Sequence, residues 1–170
     1  MKLFKKLAAA ALAAVLALSM VGCGNANSVN STKQFILNFL ADSTVMSTGE
    51  YHNTSEMDGI AQKLLTEANA AYQDETQTDK TVKALMRAAA EKEGILKEGT
   101  GYEISFVEDY QFKSSLIPEV QKQLMLMQMM DTIEVNGGIA LDATKLDVGV
   151  AVGKIGDKTY AVVVMTSAET

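Results

Sequence analysis

His52 is the only histidine of the chain and the first candidate for a general base. Histidine is the side chain used most often to take a proton from a serine hydroxyl or a water molecule. A second imidazole is absent, and so is the Gly-x-Ser-x-Gly segment that holds a nucleophilic serine. A Ser-His-Asp arrangement stays open, because serines and aspartates are numerous. The polar run Tyr51-His52-Asn53 favours a surface histidine without a chemical role.

Two pairs of adjacent acidic residues, Asp74-Glu75 and Glu108-Asp109, could serve acid and base chemistry or bind calcium. However, no Asp-x-Asp-x-Asp-Gly loop is present, and neighbouring carboxylates are typical of a solvated turn. Gly137-Gly138 lacks the spacing and the lysine of a phosphate-binding loop. We therefore predict no catalytic residue, no metal ligand and no cofactor.

The segment from Leu124 to Met130 is rich in methionine. Flexible thioether side chains can line a groove for varied apolar ligands or partner helices, and several together can bind Cu(I). Successive residues of a helix point in different directions, which favours core packing of one face. The alternative is a surface for an apolar partner, formed by Met125, Met127 and Met129.

The only cysteine, Cys23, directly follows a segment typical of an export signal. Lys2, Lys5 and Lys6 precede a run from residue 7 to residue 21 that carries no charge. This run is shorter than the roughly 20 apolar residues of a spanning helix, and small polar residues follow it. We expect cleavage rather than permanent insertion. A single cysteine forms no internal disulfide, so its thiol is available for a covalent modification.

The residues Met20-Val21-Gly22-Cys23 resemble the lipobox of bacterial lipoproteins, in which a small residue precedes an invariant, acylated cysteine. The resemblance implies that residues 1–22 are a signal peptide and that Cys23 becomes the lipidated N-terminus. It also implies an extracytoplasmic protein that is anchored to a bacterial membrane through this lipid. Several acyl chains at one site anchor firmly, because each buried CH₂ contributes about 0.8 kcal/mol.

The composition of the remaining chain limits its partners. Without residues 1–22, which contain three lysines and no acid, the chain has 12 basic and 21 acidic side chains, a formal charge of −9. Nucleic acid is therefore a disfavoured partner. The remaining length suits one domain with a core of its own. Trp is absent and Pro118 is the only proline, which argues against a Trp-lined sugar cleft and a proline-rich wall-spanning region.

Apolar periodicity predicts the elements that position these residues. Residues 23–31 read as the lipidated cysteine and a flexible tether, and residues 32–170 as a single domain. Ser31-Thr32 is the predicted cap of a first helix, and Ser55 with Asp58 the predicted capping box of a second. Residues 43–53 have the composition of a loop. The predicted helices cover about residues 32–40, 56–72, 79–94 and a stretch after Pro118.

Alternating apolar residues predict the strands. Residues 102–106 alternate as a strand with one buried face. Two further runs, 146–152 and 160–165, flank the turn Gly156-Asp157 and predict a hairpin whose second arm is buried on both faces. We expect two triplets of the hairpin on one buried face, Val148, Val150 and Val152 with Tyr160, Val162 and Val164. The predicted fold is α+β, with about four helices packed against an antiparallel sheet that ends in a C-terminal hairpin.

Taken in order, these elements resemble a reduced bacterial CAP (cysteine-rich secretory protein, SCP-like) domain over most of residues 55–167. The closing strands, Asp147-Val-Gly-Val-Ala-Val-Gly-Lys and Tyr160-Ala-Val-Val-Val, are similar to the Gly-Val-Gly-Val-Ala strand and the Tyr-rich strand of that family. The His-Arg pair of the family's middle helix and a second histidine are missing here. The resemblance therefore implies a degenerate member without the central His and carboxylate cavity, and no functional residue is transferred.

Together, these features predict a non-catalytic binding or interaction module, anchored to the membrane, with an unidentified protein or apolar small-molecule partner. The alternatives are a hydrolase that uses His52, a degenerate CAP-like domain, or an accessory protein that binds apolar clients through its methionine-rich helix. A pocket at residues 51–53 would favour the hydrolase. Exposed methionines would favour the accessory protein.

Overall fold

The computed structural model describes residues 26–41, 50–108, 130–140 and 143–168, with only the backbone for residues 26–30. Within these ranges the chain forms three helices and five strands and has an α+β fold, as predicted. The elements in chain order are α1 (Ala26–Ala41), β1 (Glu50–Asn53), α2 (Ser55–Gln73), α3 (Val82–Ala90), β2 (Tyr102–Glu108), β3 (Asp131–Val135), β4 (Lys145–Ile155) and β5 (Lys158–Ser167).

Several predictions fall outside the described residues. These are Cys23 with the signal peptide, the helix after Pro118, and the proposed partner surface of Met125, Met127 and Met129. The predicted count of about four helices therefore compares with three in the described part of the chain. None of those three is long and apolar enough to cross a membrane.

The five strands form one sheet in the order β1-β4-β5-β2-β3. The hairpin β4–β5 lies at its centre, and β2 and β3 continue it with antiparallel pairing. At the other edge β1 pairs with β4 in parallel. The prediction of an antiparallel sheet with a closing hairpin is thus confirmed, with one parallel strand added at an edge.

Helices cover both faces of this sheet. The helices α2 and α3 pack on one face, and α1 packs on the other. Because β4 and β5 lie between two helical layers, their side chains are buried on both faces of the sheet. Strands buried in this way typically have near-continuous apolar sequences. The core under α2 and α3 includes Ile60, Leu64, Leu65, Ala68, Leu85, Met86, Ile104, Phe106, Ala151, Val162 and Val164. The core under α1 includes Ile36, Phe39, Leu40, Val107, Val148, Val150, Val152, Ala161, Val163 and Met165.

The predicted register of the hairpin is wrong by one residue. The turn holds two residues, so Ile155 pairs with Lys158 and Val150 pairs with Val163. Directly opposite residues share a face, so Val148, Val150 and Val152 lie with Ala161, Val163 and Met165 under α1. The triplet Tyr160, Val162 and Val164 lies on the opposite face.

The strand β2 also differs from its prediction, because both of its faces are buried. Ile104 and Phe106 pack under α2 and α3, while Val107 packs under α1. Ser105 is only 2% exposed on the same side as Val107, and its hydroxyl lies 2.9 Å from that of Thr132 on β3. This cross-strand hydrogen bond allows a polar side chain to be buried in the sheet.

The helices begin at other residues than predicted. The helix α1 begins at Ala26, so residues 26–30 of the predicted tether are helical and Thr32 is buried instead of capping the helix. Thr54 caps α2, and its side chain accepts a hydrogen bond from the amide of Met57. Thr81 caps α3 in the same way. No proline or glycine interrupts residues 26–41, which allows α1 to begin several residues before its predicted start.

Candidate functional site

The first turn of α2 lies directly against the backbone of β4. A Cβ at Gly149 would lie 2.0 Å from the carbonyl carbon and oxygen of Met57 and 2.5 Å from the nitrogen of Asp58. Glycine is therefore the only residue type that permits this approach. At the far end of α2, Asn69 Oδ1 accepts a hydrogen bond of 2.9 Å from the amide of Gly156. Both contacts fix α2 along β4.

Asp58, in this first turn, joins four elements. Its carboxylate accepts hydrogen bonds from Lys33 on α1, from Asn53 Nδ2 on β1 at 2.9 Å and from the amide of Val150 on β4 at 2.9 Å. The pairing of β1 with β4 ends at Val148, so the amide of Val150 has no β1 residue opposite it. Asp58 accepts the hydrogen bond of this amide instead. Burial alone would raise the pKa of Asp58, but these hydrogen bonds outweigh burial and hold the pKa below its ordinary value. Asp58 is thus a structural carboxylate.

A polar cleft of about 210 Å³ lies beside this helix start. Its walls come from the start of α2, from the loop before β2 and from the ends of three strands of the sheet. They comprise Thr54, Glu56 and Met57, then Lys97 and Thr100, and finally Tyr102, Asp147, Thr166 and Ser167.

Strand register aligns four polar side chains across the sheet at this cleft. His52 pairs with Asp147, Asp147 pairs with Thr166, and Thr166 pairs with Tyr102. The Thr166 hydroxyl donates a hydrogen bond of 2.8 Å to the carbonyl of Gly101. The Tyr102 hydroxyl accepts one of 3.3 Å from the amide of Lys97. Three members of this row line the cleft, and His52 at the sheet edge does not.

Two polar groups of the row have unused hydrogen-bonding capacity. Asp147 is half-buried, and within the described residues its carboxylate makes no hydrogen bond or ion pair. Tyr102 is 1% exposed, and nothing in the described ranges accepts its hydroxyl proton. Two carboxylates line the cleft, those of Asp147 and Glu56. Glu56 already has a cationic partner, because Lys97 Nζ lies 3.3 Å from its Oε1.

His52 lies on β1, a strand that was predicted as loop, and 54% of its side chain is exposed. Its Nε2 is 3.9 Å from Glu50 Oε2, and the described part of the chain brings no serine hydroxyl within hydrogen-bond distance of the ring. Within the described residues, the structure therefore places His52 beside an acid but not within reach of a serine nucleophile.

The acid pairs occupy turns and edges. Asp74 follows α2, and its carboxylate accepts hydrogen bonds of 2.8 and 2.7 Å from the amide and hydroxyl of Thr76. Glu108 ends β2 and pairs with Lys158 at 3.0 Å, while Asp109 lies outside the described residues. Among the described residues, no three His, Cys, Asp or Glu side chains are grouped closely enough to hold a metal ion.

Two glutamates oppose each other on the other face of the sheet. Glu103 on β2 pairs directly with Glu134 on β3, and Glu103 is half-buried. Burial and then the charge of Glu134 raise the pKa of Glu103. The folded state therefore retains the proton of Glu103 to a higher pH than the unfolded state, and stability falls as pH rises from the ordinary glutamate pKa through the raised one.

We expect Glu103→Gln to stabilise the domain at neutral pH by less than about 1 kcal/mol, because it removes a like-charge cross-strand pair. The gain should disappear well below the ordinary glutamate pKa, where Glu103 is protonated in both states. Thermal melts at neutral and acid pH measure both effects. The exposed Glu98→Gln is the matched control and should change stability little at either pH. A gain that persists unchanged in acid would contradict the electrostatic explanation.

Comparison with protein-family models, with curated proteins and with solved structures finds no match for the chain. The resemblances to bacterial lipoproteins and to the CAP domain stay predictions from the sequence. The cleft residues Asp147 and Tyr102 were not predicted. The sequence showed Asp147 only as a polar residue of an alternating strand. It predicted Tyr102 as a residue of the buried face of a strand.

Proposed function

We propose that the protein is an extracytoplasmic module, anchored to a bacterial membrane through lipid on Cys23, that binds a ligand or partner without catalysing a reaction. The main support for lipid anchoring is the position of Cys23, which directly follows an uncharged run preceded by three lysines. As the only cysteine of an exported chain, it has no internal partner for a disulfide.

The surroundings of His52 support binding rather than hydrolysis. A general base needs a hydroxyl or a positioned water within hydrogen-bond reach, and a nucleophile needs a base that a third group orients. The described contact of His52 is with Glu50 at a half-exposed sheet edge, and the polar cleft lies beside Thr54 instead. The negative charge of the mature chain also disfavours nucleic acid as the partner.

Cys23→Ala should abolish acylation, because only the thiol at that position can accept the lipid. The protein should then stay unprocessed or be released from the membrane fraction. Metabolic labelling of cells with a fatty-acid analogue measures the modification directly, and the wild-type chain is the control. Equal label on both chains would refute the anchor.

A further inference from the structure

We propose that the cleft between the start of α2 and the ends of β2, β4 and β5 binds a small hydroxylated amine, such as an amino alcohol or an amino sugar. This inference rests on the proposed binding function and names the class of ligand. The unused capacity of Asp147, the buried hydroxyl of Tyr102, and the charge and size of the cleft support it.

The carboxylate of Asp147 accounts for the cationic group. It lines the cleft, is half-buried, and has no hydrogen-bond donor or cation among the described residues. The other acid of the cleft, Glu56, is paired with Lys97. The three charged side chains of the lining, Glu56, Lys97 and Asp147, have a net charge of −1. The carboxylate of Asp147 can therefore attract an ammonium group and accept charge-assisted hydrogen bonds from it.

The hydroxyls of the cleft account for the rest of the ligand. The proton of the buried Tyr102 hydroxyl needs an acceptor, because an unsatisfied buried donor is costly, and a ligand hydroxyl oxygen can supply one. Thr166 and Thr100 line the same cleft, and a threonine hydroxyl can both donate and accept a hydrogen bond. A ligand with several hydroxyls matches this lining better than an apolar amine does.

Size excludes larger ligands. A volume of about 210 Å³ lies below the usual range of sites for drug-sized molecules, roughly 300 to 1,000 Å³. It suits a single sugar ring or a smaller molecule. Met57 and Tyr102 are the only lining residues with large apolar side chains, so the affinity should be modest and come mainly from polar contacts.

The test is a titration of the ¹⁵N-labelled full chain, in detergent, with glucosamine, with 2-aminoethanol and with glucose as the neutral analogue. We expect the two amines to shift the amide signals of Thr54, Asp147 and Ser167 with dissociation constants in the millimolar range or below. Glucose should bind at least about tenfold more weakly, because it lacks the charge. Failure of both amines to shift these signals at millimolar concentrations, or equal binding of glucose and glucosamine, would overturn the proposal.

Two variants locate the interaction. Asp147→Asn keeps the shape of the side chain and should weaken amine binding at least about tenfold. The matched control Asp157→Asn removes the same charge at the exposed hairpin turn and should bind like the wild type. Unchanged affinity in Asp147→Asn, with its spectrum otherwise native, would also overturn the site. Cys23→Ala should bind the amines as the wild type does, so a failed anchor and a failed ligand site give different results.

Discussion

Val150→Asp is expected to destabilise the domain by about 4 kcal/mol or more, a large share of the roughly 5–15 kcal/mol that typically stabilises a domain. Val150 is 2% exposed, lies at the centre of β4 and packs under α1 beside its cross-strand partner Val163. The new carboxylate would lie among apolar side chains without a cation, and burial of an unpaired charge is among the costliest single changes.

Thermal or denaturant unfolding of the full-length chain measures this effect. Lys154→Ala, on the same strand but exposed, is the control and should change stability by less than about 0.5 kcal/mol. The result also tests the burial of β4 under α1. If Val150→Asp melted within a few degrees of the wild type, Val150 would not lie in the core under α1.

Gly149→Ala should destabilise the domain by about 3 kcal/mol or more, although it adds only one methyl group. That methyl would lie 2.0 Å from the carbonyl of Met57, where main chain rather than a flexible side chain must move. The first turn of α2 would have to lift from β4, and the hydrogen bond from the amide of Val150 to Asp58 would be weakened with it.

Gly59→Ala is the matched control for this change, since it makes the same substitution two residues beyond Met57. A Cβ at Gly59 meets no atom within 4 Å, so alanine there should stabilise α2 by up to about 1 kcal/mol. Denaturant unfolding should therefore move the two variants in opposite directions. Equal stability of Gly149→Ala and the wild type would show that α2 does not approach β4 this closely.

The strongly periodic elements could be predicted from the sequence. The apolar stripe of α2 and the alternation in β4 and β5 each bury many side chains, so their patterns are long and clear. The strands β1 and β3 could not be predicted in this way. They have four and five residues at the sheet edges, and Glu50, His52 and Asn53 are all exposed, so no apolar alternation marks β1.

The register of the hairpin was predictable, and the error in it has a simple cause. Gly156 and Asp157 form a two-residue turn, which pairs Ile155 with Lys158 and therefore pairs even-numbered with odd-numbered residues throughout. The face of a side chain in one strand then follows from the length of the turn. The two triplets chosen from the sequence were both even-numbered, a combination that this turn excludes.

The residues of the candidate site were beyond prediction from the sequence. The cleft arises where three strand ends meet the start of α2, and their positions depend on a sheet order, β1-β4-β5-β2-β3, that places distant segments side by side. Asp147 and Tyr102 become neighbours of the same threonine only through that order. Asp58 likewise read as part of a capping box, and its role depends on contacts with Lys33 and Val150 that lie far away in the sequence.

The early start of α1 determines how far the domain could move from a membrane. Only Gly24 and Asn25 separate Cys23 from Ala26, and three fully extended residues span at most about 11 Å. With its lipid at Cys23, the domain would be held close to the bilayer surface. It could not move through the full depth of the envelope. A ligand would then reach the cleft by diffusing close to the headgroups.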